Sequence, residues 1–229
     1  MMTGETEQLQ LTFIDVISYQ IESIWKRLPL SDRESSKKEF ADRISELQKI
    51  IGVRSYLSYG LRNDVDFFLW LYDKDLENLQ KAAVILGKTI LGTYLKTIYT
   101  YVGMCQPPVY AKTHQQAFEK GDPPLKYVFV YPFVKSRDWY LLPFERRMEI
   151  MKVHIAKGRE YPTVRLNTTN SFGLGDQDFV LAFESDHPRD FEELVQKLRE
   201  TESSKYTVRD TPLIIGTYQS IQDTLNALG

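Results

Sequence analysis

The chain has 229 residues, 42% of them hydrophobic and 26% charged, enough to bury a sizeable core as one large domain or two of about a hundred residues each. Its formal net charge of −2, with Lys and Arg spread among Asp and Glu, excludes a global field that would recruit nucleic acid or an anionic membrane. The single cysteine, Cys105, excludes an internal disulfide framework and a multi-thiolate zinc site, and fits a reducing, cytoplasmic setting. The opening MMTGETEQLQ is polar and unlike a signal peptide, and no apolar run reaches the ~18 residues that span a membrane. The expectation is a soluble intracellular protein.

In chain order the patterning predicts a strand over 11–19, a helix over 31–49 and a strand over 53–58. Ser31 and Glu34 stand at capping-box spacing for that helix. A strand over 65–71, a helix from Leu76 and a strand over 94–102 follow. Beyond the Pro-punctuated stretch QPPVYAKTHQQAFEKGDPP come strands over 127–134, 163–169, 178–183 and 213–218, with helices over 143–157 and 189–200. Pro143 suits the first turn of its helix and Gly158 its stop.

The chain also repeats itself. YGLRNDVDFFLWLYDKDLENLQKAAVIL, from Tyr59, resembles FGLGDQDFVLAFESDHPRDFEELVQKL, from Phe172, and aligning Asp66-Phe67 with Asp178-Phe179 gives an offset of 112 residues. Each half reads β-α-β-β-α-β, the ferredoxin-like order. The predicted class is therefore α+β, with two ferredoxin-like repeats forming a pseudo-symmetric dimeric α+β barrel. The expected division is an N-terminal half over 1–110, a connecting segment over 111–124 and a C-terminal half over 125–229.

Chemistry-bearing motifs are few. There is no GxxxxGKS/T phosphate loop, no HExxH zinc helix and no GxSxG nucleophile elbow. The three histidines are His114 in the polar connecting segment, His187 beside Pro188 at a helix entry, and His154. On its helix, Phe144, Met148, Met151 and Ile155 form the apolar stripe, and His154 lies on the flank with Arg147 and Ile150 on its side. Such an imidazole serves either as a metal ligand whose other nitrogen is fixed by a hydrogen-bond acceptor or as a half-buried histidine with a local hydrogen bond; spacing alone favours the latter. The residue 112 positions earlier is Asp42, so the first half carries no matching imidazole. In YPFVKSRDWYLLP, Tyr131, Phe133 and Lys135 share one strand face and Trp139 follows. That set suits a flat aromatic ligand with carboxylate arms, and equally an amphipathic strand end with an aromatic anchor.

The ordered blocks YPFVKS, WYLLP, ERRMEIMKVHIAKGREY, NSFGLGDQDFVLAFE and LRETESSKY closely resemble the chlorite dismutase-like family across the second half. The resemblance implies haem b or coproheme bound in the C-terminal half of a homo-oligomer, often a pentamer, with His154 as the iron ligand. Within the family it is nearest to the tyrosine-type coproheme decarboxylases, through Tyr131, Pro132, Lys135 and Trp139. The implied chemistry is peroxide-dependent: Tyr131 becomes a radical, takes hydrogen from a propionate, and loss of carbon dioxide leaves a vinyl group. Lys135 would hold a propionate, Lys205 stands where relatives often carry Arg, and Met151 lies on the ligand-bearing helix. At the distal position TVRLNTT gives Leu166, with Arg165 or Asn167 as alternatives at a one-residue shift. Leu166 offers chlorite no cationic partner, which ranks chlorite dismutation low. The other readings are a haem carrier, a sensor or weak peroxidase, and an interaction protein without cofactor.

Overall fold

The computed structural model of the chain describes residues 11–107, 109–110 and 115–229; His114 lies outside them. In the first half the elements are β1 (Phe13–Ile21), α1 (Leu30–Leu47), β2 (Gly52–Leu57), β3 (Phe67–Asp73), α2 (Leu76–Gly87) and β4 (Leu95–Met104). The second half contains β5 (Tyr127–Lys135), α3 (Arg137–Leu141), α4 (Phe144–Gly158), β6 (Val164–Asn170), β7 (Phe179–Ser185), α5 (Pro188–Arg199), β8 (Thr207–Arg209), β9 (Ile214–Gln219) and α6 (Ile221–Ala227). Three short 3-10 turns, at Trp25–Arg27, Leu91–Tyr94 and Glu202–Tyr206, join them.

The first-half strands lie side by side in the order β4-β1-β3-β2 and the second-half strands in the order β6-β7-β5-β9, all antiparallel. Each is the ferredoxin-like arrangement. The halves join where β2 pairs β9, Tyr56 opposite Tyr218, and where β4 meets β6 through Met104 and Asn170, so the pairings run in a closed circuit. β8 adds to the end of β5.

Period-2 alternation divides the apolar residues between two faces. Val16, Phe68 and Trp70 meet Val128, Val130, Val180 and Ala182 in a core shared by both halves. On the opposite face of the first half, Ile17, Phe67 and Leu69 pack against Phe40, Ile44, Leu79 and Leu86 of α1 and α2. The corresponding second-half face carries Phe129, Tyr131 and Phe183 against Phe191 and Leu194 of α5.

The internal symmetry is closer than a fixed offset implies. Asp66 Oδ2 accepts from the Ile21 amide at 2.7 Å, and Asp178 Oδ2 from the Lys135 amide at 2.8 Å. Pro29 and Pro143 cap α1 and α4 with nearly identical backbone angles, φ −51°, ψ 145° and φ −52°, ψ 146°. These matches give an offset of 114 from β1 through the start of α1. Gly60 and Gly173, both at positive φ in equivalent turns, give 113, and Asp66 and Asp178 give 112. The shrinking offset corrects the assignment of Asp42 as counterpart of His154: the matching residue is Phe40.

Two further expectations change. Ser31 and Glu34 form no capping box, because α1 starts at Leu30 behind Pro29, and the Ser31 hydroxyl turns to Asp32. On α4 the expected stripe is not the buried one. Phe144 is 45% and Met148 37% exposed, whereas Ile150, on the side of Arg147 and His154, is 3% exposed. The helix thus turns its His154 flank inward, because the 3-10 turn at Glu202–Tyr206 packs there and Arg146 clamps Glu202 with two hydrogen bonds of 2.7 and 2.8 Å.

Candidate functional site

Tyr131, Phe133 and Lys135 emerge on the helix-covered face of β5, as strand alternation dictates. Lys135 stands at the strand's last position and is 9% exposed. Its ammonium donates to the Ser203 carbonyl at 2.7 Å, the Ser203 hydroxyl at 2.9 Å and Thr207 Oγ1 at 3.4 Å. It also lies 5.0 Å from the centre of the Trp139 ring. Burial lowers this amine from the ordinary lysine value to about 8. Trp139 is fixed on α3 by the Ser136 cap and the Tyr206 ring, 5.4 Å away.

His154 is half-buried on α4, with Nδ1 3.5 Å from Thr201 Oγ1. Thr201 already donates its own proton to the Leu198 carbonyl at 2.7 Å, so towards the imidazole its oxygen acts as acceptor. That arrangement favours the proton on Nδ1 and leaves the Nε2 lone pair open. Burial first, and the Lys135 charge second, push the imidazole down to about 4, so it is neutral at physiological pH. Met151, one turn earlier, receives the Ser203 hydroxyl at its sulfur at 3.9 Å. Lys135, Trp139, Met151 and His154 therefore converge on one 3-10 turn.

Tyr131 is 8% exposed and stacks parallel to Phe183 at 6.0 Å. Burial, then Asp210, raise its phenol well above the ordinary tyrosine value, with Arg199 opposing, so it keeps its hydrogen. Leu166, 39% exposed, pairs across the sheet with Phe183 and so stands on the Tyr131 face. Arg165 and Asn167 point the other way. Asn167, 1% exposed, donates to Glu184 Oε1 at 2.9 Å, and Arg165 lies 3.7 Å from Glu184 and donates to the Pro123 carbonyl at 2.8 Å. Lys205 lies on that same 3-10 turn with its side chain exposed. His187 is the N-cap of α5 without a side-chain capping bond.

The first half supplies an internal control. At equivalent positions Tyr131, Lys135, His154 and Ser203 are replaced by Ile17, Ile21, Phe40 and Leu91, all buried in one apolar cluster. The scaffold itself is kept: Thr89 donates to Leu86 at 2.7 Å as Thr201 does to Leu198, and Trp25 matches Trp139. Four polar groups have been set where the fold accepts hydrocarbon. Thr201 and Ser203 were not singled out by sequence reasoning, and Asp178 only as an anchor of the repeat; comparing the two halves at the sliding offset would have found Ser203 opposite Leu91.

The sequence profile of the family described as Chlorite dismutase matches residues 33–219. The chain is 35% identical over 170 residues to a coproheme decarboxylase of Mycolicibacterium smegmatis, covering 74% of this chain and 74% of the relative. It is 26% identical over 227 residues to a chlorite dismutase of Ideonella dechloratans, covering 94% of this chain and 79% of that one. A solved chlorite dismutase structure from Candidatus Nitrospira defluvii superposes with a TM-score of 0.87 over 94% of both chains at 24% identity, a likeness of fold. The profile match over most of the chain and the 35% identity to the decarboxylase establish that this chain belongs to the chlorite dismutase family.

Proposed function

We propose that the C-terminal half, residues 125–229, binds a haem-type tetrapyrrole through His154 and converts coproheme to haem b by peroxide-dependent oxidative decarboxylation. The observation that carries this reading is the replacement of Ile17, Ile21, Phe40 and Leu91 by Tyr131, Lys135, His154 and Ser203 on an otherwise conserved internal scaffold. The residues fit such a group. A neutral imidazole with its Nδ1 proton turned to Thr201 offers Nε2 to iron, and a buried acceptor of this kind is how ligating histidines are oriented. The similarity to a coproheme decarboxylase favours coproheme over other tetrapyrroles.

Bound iron coproporphyrin would supply the redox chemistry with peroxide. In each cycle a propionate carboxylate would give up carbon dioxide, two electrons and one proton to leave a vinyl group, and one peroxide, taking those electrons, that proton and a second proton from solvent, would be reduced to two waters. Tyr131, shielded from water and holding its phenolic hydrogen, is suited to relay a hydrogen atom. Burial, with the Lys135 charge adding to it, holds His154 in the neutral, coordinating form. To pair with a propionate, Lys135 must exchange its bonds to Ser203 and Thr207 for the carboxylate. Trp139 and Met151 would form apolar wall beside the imidazole, and Lys205 is a candidate surface contact to a carboxylate.

A second reading, a haem carrier or sensor with weak peroxidase activity, is favoured by Leu166. With Arg165 and Asn167 turned to the opposite face, no cation from this strand stands on the Tyr131 side to hold chlorite or assist peroxide cleavage, and the strand's amide on that side, Asn170, lies at its far end bonded to Gln106. A cytoplasmic homo-oligomer, of pentameric form, belongs to the same proposal. Tyr131→Phe distinguishes the two readings: the decarboxylase loses carbon dioxide release while still binding coproheme. Full activity in that variant would remove Tyr131 from the mechanism.

A further inference from the structure

The first half holds a feature that the tetrapyrrole chemistry does not use. Between β1, the end of α2 and the start of β4 lies a cavity of about 190 Å³, lined by Asp15, Ile17, Tyr19, Leu86, Gly87 and Leu95 among others. At about 30 Å³ per water this is room for roughly six waters or one small organic molecule. Its walls are mostly apolar, and the exposed Thr97 and Thr100 line it as well.

Asp15 is the anomaly. It is 7% exposed, and its Oδ1 is fully buried with no hydrogen-bond partner. Among the described residues no lysine, arginine or histidine forms an ion pair with it. A buried carboxylate without a partner is expensive, and folding does not require one here. The equivalent residue of the second half is Phe129, stacked on Phe191 at 3.9 Å. The first half therefore replaces a packed aromatic ring with an unpaired acid at the wall of a cavity. Gly87 contributes to the opening: a side chain added there would meet no atom within 4 Å, and its backbone is ordinary helix.

We propose that this cavity binds a small organic cation, a primary ammonium on a short apolar body, whose charge pairs with Asp15. The carboxylate supplies the missing counter-charge, and Ile17, Leu86 and Leu95 cover the hydrocarbon. Neutral molecules of the same shape would gain the apolar contacts without the pairing. The site is separate from the His154 cluster and stands whether or not that cluster performs decarboxylation.

The test is saturation-transfer difference NMR on the full chain, titrating n-butylammonium chloride against 1-butanol. The expected result is saturable binding of the ammonium about tenfold or more tighter than the alcohol. Asp15→Asn should abolish that preference without loss of fold by circular dichroism. Gly87→Leu, which fills the cavity and keeps the carboxylate, should abolish binding of both. Absence of saturable ammonium binding, equal affinity for the two probes, or unchanged preference in Asp15→Asn would each overturn the proposal.

Discussion

Lys135→Met isolates what the candidate site costs the fold. Desolvation lowers the Lys135 amine from 10.5 to about 8, and at 1.36 kcal/mol per pKa unit its charged form destabilises the native state by at most about 3 kcal/mol at neutral pH. Against this stand the bonds to Ser203, whose loss leaves a buried carbonyl and hydroxyl short of a donor at about 1–3 kcal/mol. The net change at neutral pH is therefore small, and the pH dependence is the sharper signature. Between about 8 and 10.5 the unfolded chain binds the Lys135 proton and the folded chain does not, so wild-type stability rises with pH across that window. Lys135→Met lacks this contribution. Urea denaturation of cofactor-free protein should therefore show the variant losing up to about 3 kcal/mol relative to wild type as pH rises through the window. Parallel curves for the two proteins would mean that the ammonium is not buried as described, and would remove its share in keeping His154 neutral, which rests first on burial of the imidazole. The double substitution Lys135→Ile with Ser203→Leu, copying Ile21 and Leu91, should fold with stability equal to or above wild type and bind no coproheme.

Other outcomes follow from the same geometry. His154→Phe copies Phe40, so the variant should keep its melting temperature or gain a few degrees, and should show no iron-ligand Soret band with coproheme; an unchanged spectrum would reassign the iron ligand. Asp15 is raised from 3.8 to about 6 by burial, so its contribution to stability is fullest below about 4 and is lost as pH rises to about 6. Asp15→Asn should accordingly stabilise the protein by up to about 3 kcal/mol near pH 7 and by little near pH 4, measured by chemical denaturation. Asp178→Asn keeps an acceptor for the Lys135 amide and the Tyr140 hydroxyl, at 2.8 and 2.7 Å, and should weaken coproheme binding only slightly, whereas Asp178→Leu should weaken it strongly.

Most of the architecture was legible because its signals are local. Strand alternation, helix stripes and the repeated turn-strand-turn-helix pattern around Asp66 and Asp178 fix element order, and the ferredoxin-like order follows from it. The short α3 and α6 and the strand β8 carry too few residues for a periodic signal and were missed. The orientation of α4 was misjudged because its hydrophobicity is split: Phe144 and Met148 look like core, yet the turn at Glu202–Tyr206 buries the opposite flank through contacts some 50 residues away. Tyr131, Lys135, Trp139 and His154 stood out by type and by family resemblance. Their supports at Thr201 and Ser203 did not, because a threonine and a serine in a polar stretch carry no signal until their first-half counterparts, Thr89 and Leu91, are set beside them. The fixed offset of 112 concealed the pairing of His154 with Phe40, since the second half is two residues shorter before β7 than the first half is before β3.

Decarboxylation at the His154 site is tested by titration of the purified protein with iron coproporphyrin III, followed by peroxide, with absorbance and mass spectrometry of the tetrapyrrole. The expected result is binding that requires His154, then stepwise loss of two carbon dioxide units that requires Tyr131. Tight binding with no mass change would contradict the decarboxylase and leave a haem protein of another activity; failure to bind would return His154 to a half-buried helix histidine held by Thr201.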